Sequence, residues 1–285
     1  MGGVVILAVF LVILILAQLL QGLLDTKGLL LVGAALGFGL IGLLDDALKY
    51  LQQHAKGLAG RYKLLLQGLV SLGLLTGLRA AGALEPVVKI PFASSGWELP
   101  WAALIGLVFF TFLGTVNAWN LTDGLDGLAA GITLIVLAAY GVLTLGTGGR
   151  LFELIVIFGA VLVGFLWFNV HPARIFLGDT GSMALGGFVA ALSVLTGTEP
   201  FLLFFAIVPV LEALSVIIQV ASFRTFGRRV FKVSPLHHHF ERAEGVDYPY
   251  WLPSVELPEW AITLMFWGLT TLGTLLGLLA YRSPL

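Results

Sequence analysis

Residues Phe168–Ser182, FNVHPARIFLGDTGS, form a short polar island between two strongly apolar runs. Asp179 stands just where the second run begins. A carboxylate so near a bilayer edge is costly unless a cation or phosphate chemistry uses it. The stretch therefore fixes two expectations together: the flanking runs cross a membrane, and the loop between them carries function.

The composition agrees with the first. Hydrophobic residues fill 59% of the 285 positions and charged residues only 11%. The mean hydropathy is +1.02, whereas a soluble domain carries about 25% charged residues. The chain reads as an all-α polytopic membrane helix bundle, since open strands cannot satisfy their backbone in lipid. A formal charge of −1 argues against nucleic acid as a partner. With no cysteine, neither disulfide nor thiolate chemistry is available. The opening lacks a basic leader region, and its apolar run is long, so it reads as a retained span.

Nine apolar segments are each long enough for a hydrocarbon core of roughly 30 Å. They cover 2–20, 29–45, 63–82, 100–118, 127–146, 151–168, 181–197, 200–222 and 259–281. Residues 85–99, near Pro86 and Pro91, read as a small extracytoplasmic hairpin, and 223–258 is the only long polar loop. Pro209 predicts a kink inside the eighth segment. No internal repeat is evident, which disfavours an inverted-repeat transporter.

Lysine and arginine set the orientation. Loops after the second, fourth, sixth and eighth segments hold Lys49, Lys56, Arg61, Lys63, Arg174, Arg224, Arg228, Arg229, Lys232 and Arg242. The remaining loops and the tail hold Lys27, Arg79, Lys89, Arg150 and Arg282. Ten against five places the first set in the cytoplasm. Asp45 and Asp46, Asp123 and Asp126, Asp179, and His237–His239 are then all on that face, because two crossings separate each motif from the next. Five of the seven aspartates meet at one membrane surface.

Each motif also has a plainer reading. Asp45-Asp46, in GLLDDALK, opposes the dipole at a helix C-terminus, costing about 0.3–1 kcal/mol each; Lys49 alone would offset part of that. In NAWNLTDGLD, Asn120, Thr122 and Asp123 suit N-caps of the fifth segment, with Asp126 in its first turn. Capping does not account for Asn117, Asn120, Asp123 and Asp126 together. Asp123 and Asp126, three apart, are expected to share a helix face. Asn120-Leu121-Thr122 matches a glycosylation sequon, but on the wrong side for use. Asp179-Thr180-Gly181-Ser182 opens a helix, where backbone N–H groups favour phosphate and a carboxylate can hold Mg²⁺. The histidine triplet suits a single zinc poorly; with Arg228, Arg229 and Lys232 upstream it suits an anion better. Gly37-Phe38-Gly39-Leu40-Ile41-Gly42 mimics a dinucleotide fingerprint, yet within a membrane helix it reads, with Gly33, as close helix packing.

Carboxylates, amides, cations and imidazoles at a cytoplasmic membrane face suit Mg²⁺-dependent phosphoryl chemistry between a soluble nucleotide donor and a lipid phosphate. A cation-coupled membrane transporter would instead place its acids near mid-span.

GLLDDALK, NAWNLTDGLDGLA, FNVHPARIFLGDTGSMALGG and PLHHHFE resemble, in order and along essentially the whole chain, the signature loops of the polyprenyl-phosphate N-acetylhexosamine-1-phosphate transferases. PLHHHFE is most similar to the branch whose donor is UDP-MurNAc-pentapeptide. The resemblance implies transfer of phospho-MurNAc-pentapeptide from UDP to undecaprenyl phosphate, giving lipid I and UMP in peptidoglycan synthesis, with Mg²⁺ required. A GlcNAc-1-phosphate transferase is the same-family alternative. It implies a multi-pass protein of the bacterial cytoplasmic (inner) membrane with its active site on the cytoplasmic side, sensitivity to nucleoside-type inhibitors, and a homodimer. Family members usually have ten spans; the match implies that residues 1–285 are one integral membrane transferase domain lacking the family's first helix. By the same resemblance Asp179 is the metal-binding aspartate, Asp45 and Asp46 are the catalytic pair, and Asp45 is a base for the lipid phosphate. Asn120, Asp123 and Asp126 fall on the nucleotide side, Asp126 near uracil or ribose and Phe176 stacking. Asn117 joins that motif, and Asn169, Lys49 and Gln219 match further polar positions. His237, His238 and His239 match the branch triplet, His237 as a catalytic residue and the other two as substrate contacts.

Overall fold

A computed structural model describes residues 2–52, 57–147, 149–242 and 248–282; Lys56, counted above for orientation, lies outside them. Among the described residues, nine helices of membrane-crossing character occupy the nine predicted segments. They are α1 (Gly2–Gln21), α2 (Thr26–Gln52), α3 (Gly60–Ala80), α4 (Trp101–Thr122), α5 (Leu128–Thr144), α6 (Leu151–Asn169), α7 (Gly178–Leu195), α9 (Ile207–Phe226) and α11 (Glu259–Arg282). Eight have at least 18 residues, and α5, with 17, is about 26 Å long at 1.5 Å per residue. The protein is a multi-pass membrane protein. Large apolar side chains exposed along α1, such as Val5, Val12 and Leu19, mark its lipid side.

The bundle is built around α7. Every residue from Thr180 to Leu195 is buried. Helices α1, α2 and α4 enclose it, and glycines set the spacing. A Cβ on Gly42 of α2 would overlap the Asp179 carbonyl, and one on Gly3 of α1 would overlap the Gly181 backbone. On α7 itself, a Cβ at Gly186 would lie 2.8 Å from Val116 Cα of α4. Small residues thus let backbones approach where lipid offers no hydrophobic drive for association. Phe10, Phe158 and Phe188 fill the space beside them, the last two stacked at 4.1 Å between centroids.

Helix boundaries differ from expectation in ways that move the site. Helix α2 runs seven residues past Asp45, so Asp45, Asp46 and Lys49 lie within it rather than at its end. Helix α4 continues to Thr122, so Asn117 and Asn120 sit on its last two turns and Asp123 closes it; Gly127, at φ 72°, occupies the N-cap of α5. The capping roles predicted for Asn120, Thr122 and Asp123 are therefore not taken up, and Asp126 precedes α5. The predicted kink appears as a break: α8 (Leu202–Phe205) ends at Ala206 before α9 starts. Pro209 has no N–H to give Phe205, its i−4 partner, so the ladder fails just there.

Strands β1 (Val87–Val88) and β2 (Trp97–Glu98) form the expected hairpin, with Val87 opposite Glu98. It is strapped to the bundle by Lys89 N–H to Gly197 O (2.8 Å) and Phe92 N–H to Ala280 O (3.1 Å). At the other face, the long loop folds back around α10 (His237–Phe240).

Candidate active site

The ends of α2, α3, α4 and α7 frame an open cavity of about 670 Å³, lined by Asp45, Lys49, Lys63, Asn120 and Asp179 among others. Asp179 stands in the first turn of α7. Its Oδ2 accepts from Lys49 Nζ (2.9 Å) and Lys63 Nζ (2.8 Å), and its Oδ1 from Asn120 Nδ2 (3.0 Å). Asn120 also donates to Ser182 Oγ (3.0 Å) and accepts from Lys63 (3.1 Å). Lys49 bridges to Asp45 Oδ2 at 2.6 Å, one helical turn back. Asp45 is only 2% exposed and accepts the Leu58 N–H (2.7 Å), which draws the chain ahead of α3 over it. Two ammonium groups and two carboxylates thus interleave, so removing either sign strands the other.

Asp46 does different work. Its carboxylate accepts the backbone N–H groups of Asp179 (3.2 Å) and Thr180 (3.0 Å) and the Thr180 hydroxyl (2.7 Å). A residue of α2 therefore caps α7, satisfying N–H groups that the start of any helix leaves open. Asp45, Asp46 and Asp179 each bring an oxygen within 4.8 Å of the others'. Hard oxygen donors on one or two carboxylates suit Mg²⁺, and Lys49 already holds a positive charge between Asp45 and Asp179. The residues fit that ion, provided the ammonium yields its place.

Asp123, half-buried at the end of α4, faces this cluster; burial first, then the charges of Asp179 and Asp46, holds its carboxyl above the usual carboxylate range. Asp126 turns the other way. It accepts from Ala173 N–H (2.8 Å) and meets His171 Nδ1 at 3.2 Å, while its own N–H donates to Glu259 (2.7 Å). The helix face expected to join Asp123 and Asp126 does not exist, because the chain between α4 and α5 is a turn. Asp126 instead ties that turn to the FNVHPA loop and to α11.

The histidine triplet divides three ways. His237, 1% exposed, meets Glu212 of α9 at 3.2 Å and lies against Gly124, where no side chain would fit. His238 pairs with Glu241 at the surface. His239 is buried, accepts the Lys232 N–H at Nδ1 (3.0 Å) and packs on Phe231; burial holds its imidazole below the ordinary range.

Other predicted positions brace the site. Asn117 pairs with Gln67 across α3 and α4 (2.7 Å), deeper than Asn120. Asn169 donates to Ile175 O (2.9 Å), closing the FNVHPA loop. Gln219 accepts from Val230 and Phe231 N–H, pinning the long loop to α9. Phe176 presents its ring outward, 68% exposed, beside the cavity-bearing end of α7.

Lys63, Glu212, His171 and Glu259 were not singled out from sequence as site residues. Lys63 had a signal, since it opens a segment on the face where the acids gather; Glu212, an acid inside an apolar run, had another.

The family described as Glycosyl transferase family 4 matches residues 28–197. A phospho-N-acetylmuramoyl-pentapeptide-transferase of Geobacillus kaustophilus is 43% identical over 281 residues, which is 98% of this chain and 82% of that protein. The one of Moorella thermoacetica is 46% identical over 245 residues, 85% and 72% of the two chains. That of Shouchella clausii is 43% identical over 271 residues, 94% and 78%. Matched across most of both lengths and through every loop that builds the carboxylate cluster, the chain belongs to glycosyl transferase family 4 and, within it, to the phospho-N-acetylmuramoyl-pentapeptide transferases.

Proposed function

We propose that this transferase moves phospho-MurNAc-pentapeptide from its UDP carrier to undecaprenyl phosphate, releasing UMP and forming lipid I, at the cytoplasmic face of the bacterial inner membrane. The observation that carries the reading is the interleaved Asp45–Lys49–Asp179–Lys63 cluster at the mouth of a cavity formed by helix ends. A phosphate held there is flanked by ammonium groups, and its lipid tail can remain in the bilayer.

The reaction exchanges one phosphoanhydride linkage for another. An oxygen of the lipid phosphate attacks the sugar-linked phosphorus of the donor, the bridging P–O bond breaks, and UMP departs with that oxygen. Charge builds on the oxygens around phosphorus, where Lys49 and Lys63 are placed to stabilise it. Asp45 takes the proton of the lipid phosphate and positions Lys49. Asp46 holds the start of α7, and thereby Asp179, in register. Asp179, with Asp45 beside it, would hold Mg²⁺, which supplies charge neutralisation to the diphosphate. Phe176 offers an open ring for the uracil, with Asp126 behind the same loop, so nucleoside-type inhibitors would compete there.

The test is release of UMP from UDP-MurNAc-pentapeptide by purified protein supplied with undecaprenyl phosphate and Mg²⁺. The wild-type chain is expected to produce UMP and a lipid-linked product together, and Asp179→Asn to abolish both. Turnover by that variant at the wild-type rate would overturn the role of Asp179. UMP release with GlcNAc but not MurNAc-pentapeptide donors would overturn the donor assignment.

A further inference from the structure

A second polar cavity lies at the opposite end of the bundle, about 340 Å³ in volume, beneath the β-hairpin. Its walls come from the α1–α2 turn, the hairpin, the ends of α5 and α7 and the start of α6, with Tyr281 of α11 closing one side. None of these residues belongs to the transferase site, which is a bundle's length away across the membrane.

Glu199 forms its floor. It sits on a short 3-10 turn (Glu199–Phe201), is only 6% exposed, and its Oε2 is buried without a hydrogen-bond partner among the described residues. A buried carboxylate oxygen left unpaired costs free energy that a donor would recover. Burial also pushes the Glu199 carboxyl up to about 7, so near neutrality it can surrender its proton to solvent when a cation arrives.

The rim carries both signs. Asp25, Lys27, Glu85 and Lys89 are exposed and line the same cavity. No ion pair among the described residues joins any of them, or Glu199, to a partner of opposite charge. Lys89 rests on neutral groups, donating to Tyr281 Oη (2.7 Å) with its Nζ 4.7 Å from the ring centroid. The carboxylates do not converge as Asp45, Asp46 and Asp179 do, so they offer no cage for a small divalent ion. Separated charges of both signs suit an extended zwitterion instead. Leu143, Leu151 and Leu195 supply an apolar wall at the level where the spans end, which is headgroup depth. The straps from Lys89 to Gly197 and from Phe92 to Ala280 hold the hairpin in place over the cavity.

We propose that this cavity binds the head of an amine-bearing phospholipid of the outer leaflet, its primary ammonium on Glu199 and its phosphate toward the Lys27 and Lys89 rim. The fit rests on one buried acceptor without a donor and on a rim whose cations are not committed to acids. Occupancy would tie the hairpin, α5, α7 and α11 together at the face away from catalysis.

The experiment uses the whole purified chain in detergent, titrated separately with short-chain phosphatidylethanolamine, phosphatidylglycerol, phosphatidylcholine and free phosphoethanolamine. Binding is read by native mass spectrometry and by the thermal unfolding midpoint. Phosphatidylethanolamine is expected to bind about tenfold more tightly than the other two lipids, the scale of one charge-assisted hydrogen bond. Glu199→Gln should erase that preference, and Lys27→Ala, at an exposed position, should weaken all three phospholipids alike by a few-fold. Equal binding of the three lipids, or a preference untouched by Glu199→Gln in monodisperse protein, would overturn the proposal. Free phosphoethanolamine matching the lipid would overturn the lipid assignment in favour of a soluble zwitterion.

Discussion

Asp46 Oδ2 accepts both the backbone N–H and the hydroxyl of Thr180, at 3.0 and 2.7 Å, so that one carboxylate of α2 fixes where α7 begins. In the proposed reaction Asp46 is therefore a positioning residue for Asp179.

Asp46→Ala is expected to lower stability by about 1–2 kcal/mol through loss of the cap, and to reduce UMP release by displacing Asp179. Asp46→Asn keeps an acceptor oxygen and should recover most of the stability. Thermal unfolding and UMP release measured on both variants check this, and an unchanged midpoint for the alanine variant would show that the cap carries no weight.

Lys63 donates to Asp179 and Asn120 while remaining only 15% exposed in its side chain. Lys63→Met should cut UMP release about 100-fold or more, the scale of removing one preorganised charge from a phosphoryl-transfer site. Lys63→Arg should restore part of it. Equal rates for the methionine variant and wild type would remove Lys63 from the site.

Gly42 and Gly73 make a matched pair. A Cβ at Gly42 overlaps the Asp179 carbonyl, while one at Gly73 meets nothing within 4 Å. Gly42→Ala should destabilise by about 1–3 kcal/mol and reduce turnover. Gly73→Ala should be neutral or raise the midpoint, since alanine is worth up to about 1 kcal/mol over glycine in a helix.

Glu199 gives a pH signature. Its carboxyl is raised from 4.5 to about 7 in the folded chain, so folding takes up a proton there. The stabilisation is fully present below 4.5 and is lost as pH rises through about 7. The unfolding midpoint, followed across that window without added lipid, should fall more steeply in wild type than in Glu199→Gln. Parallel curves would count against a buried, titrating Glu199.

The membrane-crossing helices, the hairpin and the gathering of the loops that carry Asp45, Asp123 and Asp179 on one face could be read from the chain, because hydropathy counts crossings and crossings decide which loops share a face. Rotation about each helix axis could not. Adjacent residues differ by about 100° around a helix, so whether Asn117 or Asn120 faces the cavity depends on how α4 meets α3 and α7. The glycines of α2 show the same limit. Gly42 faces α7, Gly39 lies between Leu7 of α1 and α7, and Gly37 faces Val70 of α3, so one stripe serves three neighbours. Lys63 counted in the sequence only as a topogenic charge, although its ammonium lies at the centre of the site. Asp126 left its expected partner because the turn after Thr122 ended the helix that would have aligned them.

Helix α7, with no lipid-facing flank from Thr180 to Leu195, has one further consequence. A span that touches lipid answers a thicker or thinner bilayer by tilting. Enclosed by α1, α2 and α4, α7 can tilt only if its neighbours tilt with it. The height of Asp179 relative to the membrane plane is therefore set by protein rather than by acyl-chain length, and the carboxylate cluster keeps its level when the composition of the bilayer changes.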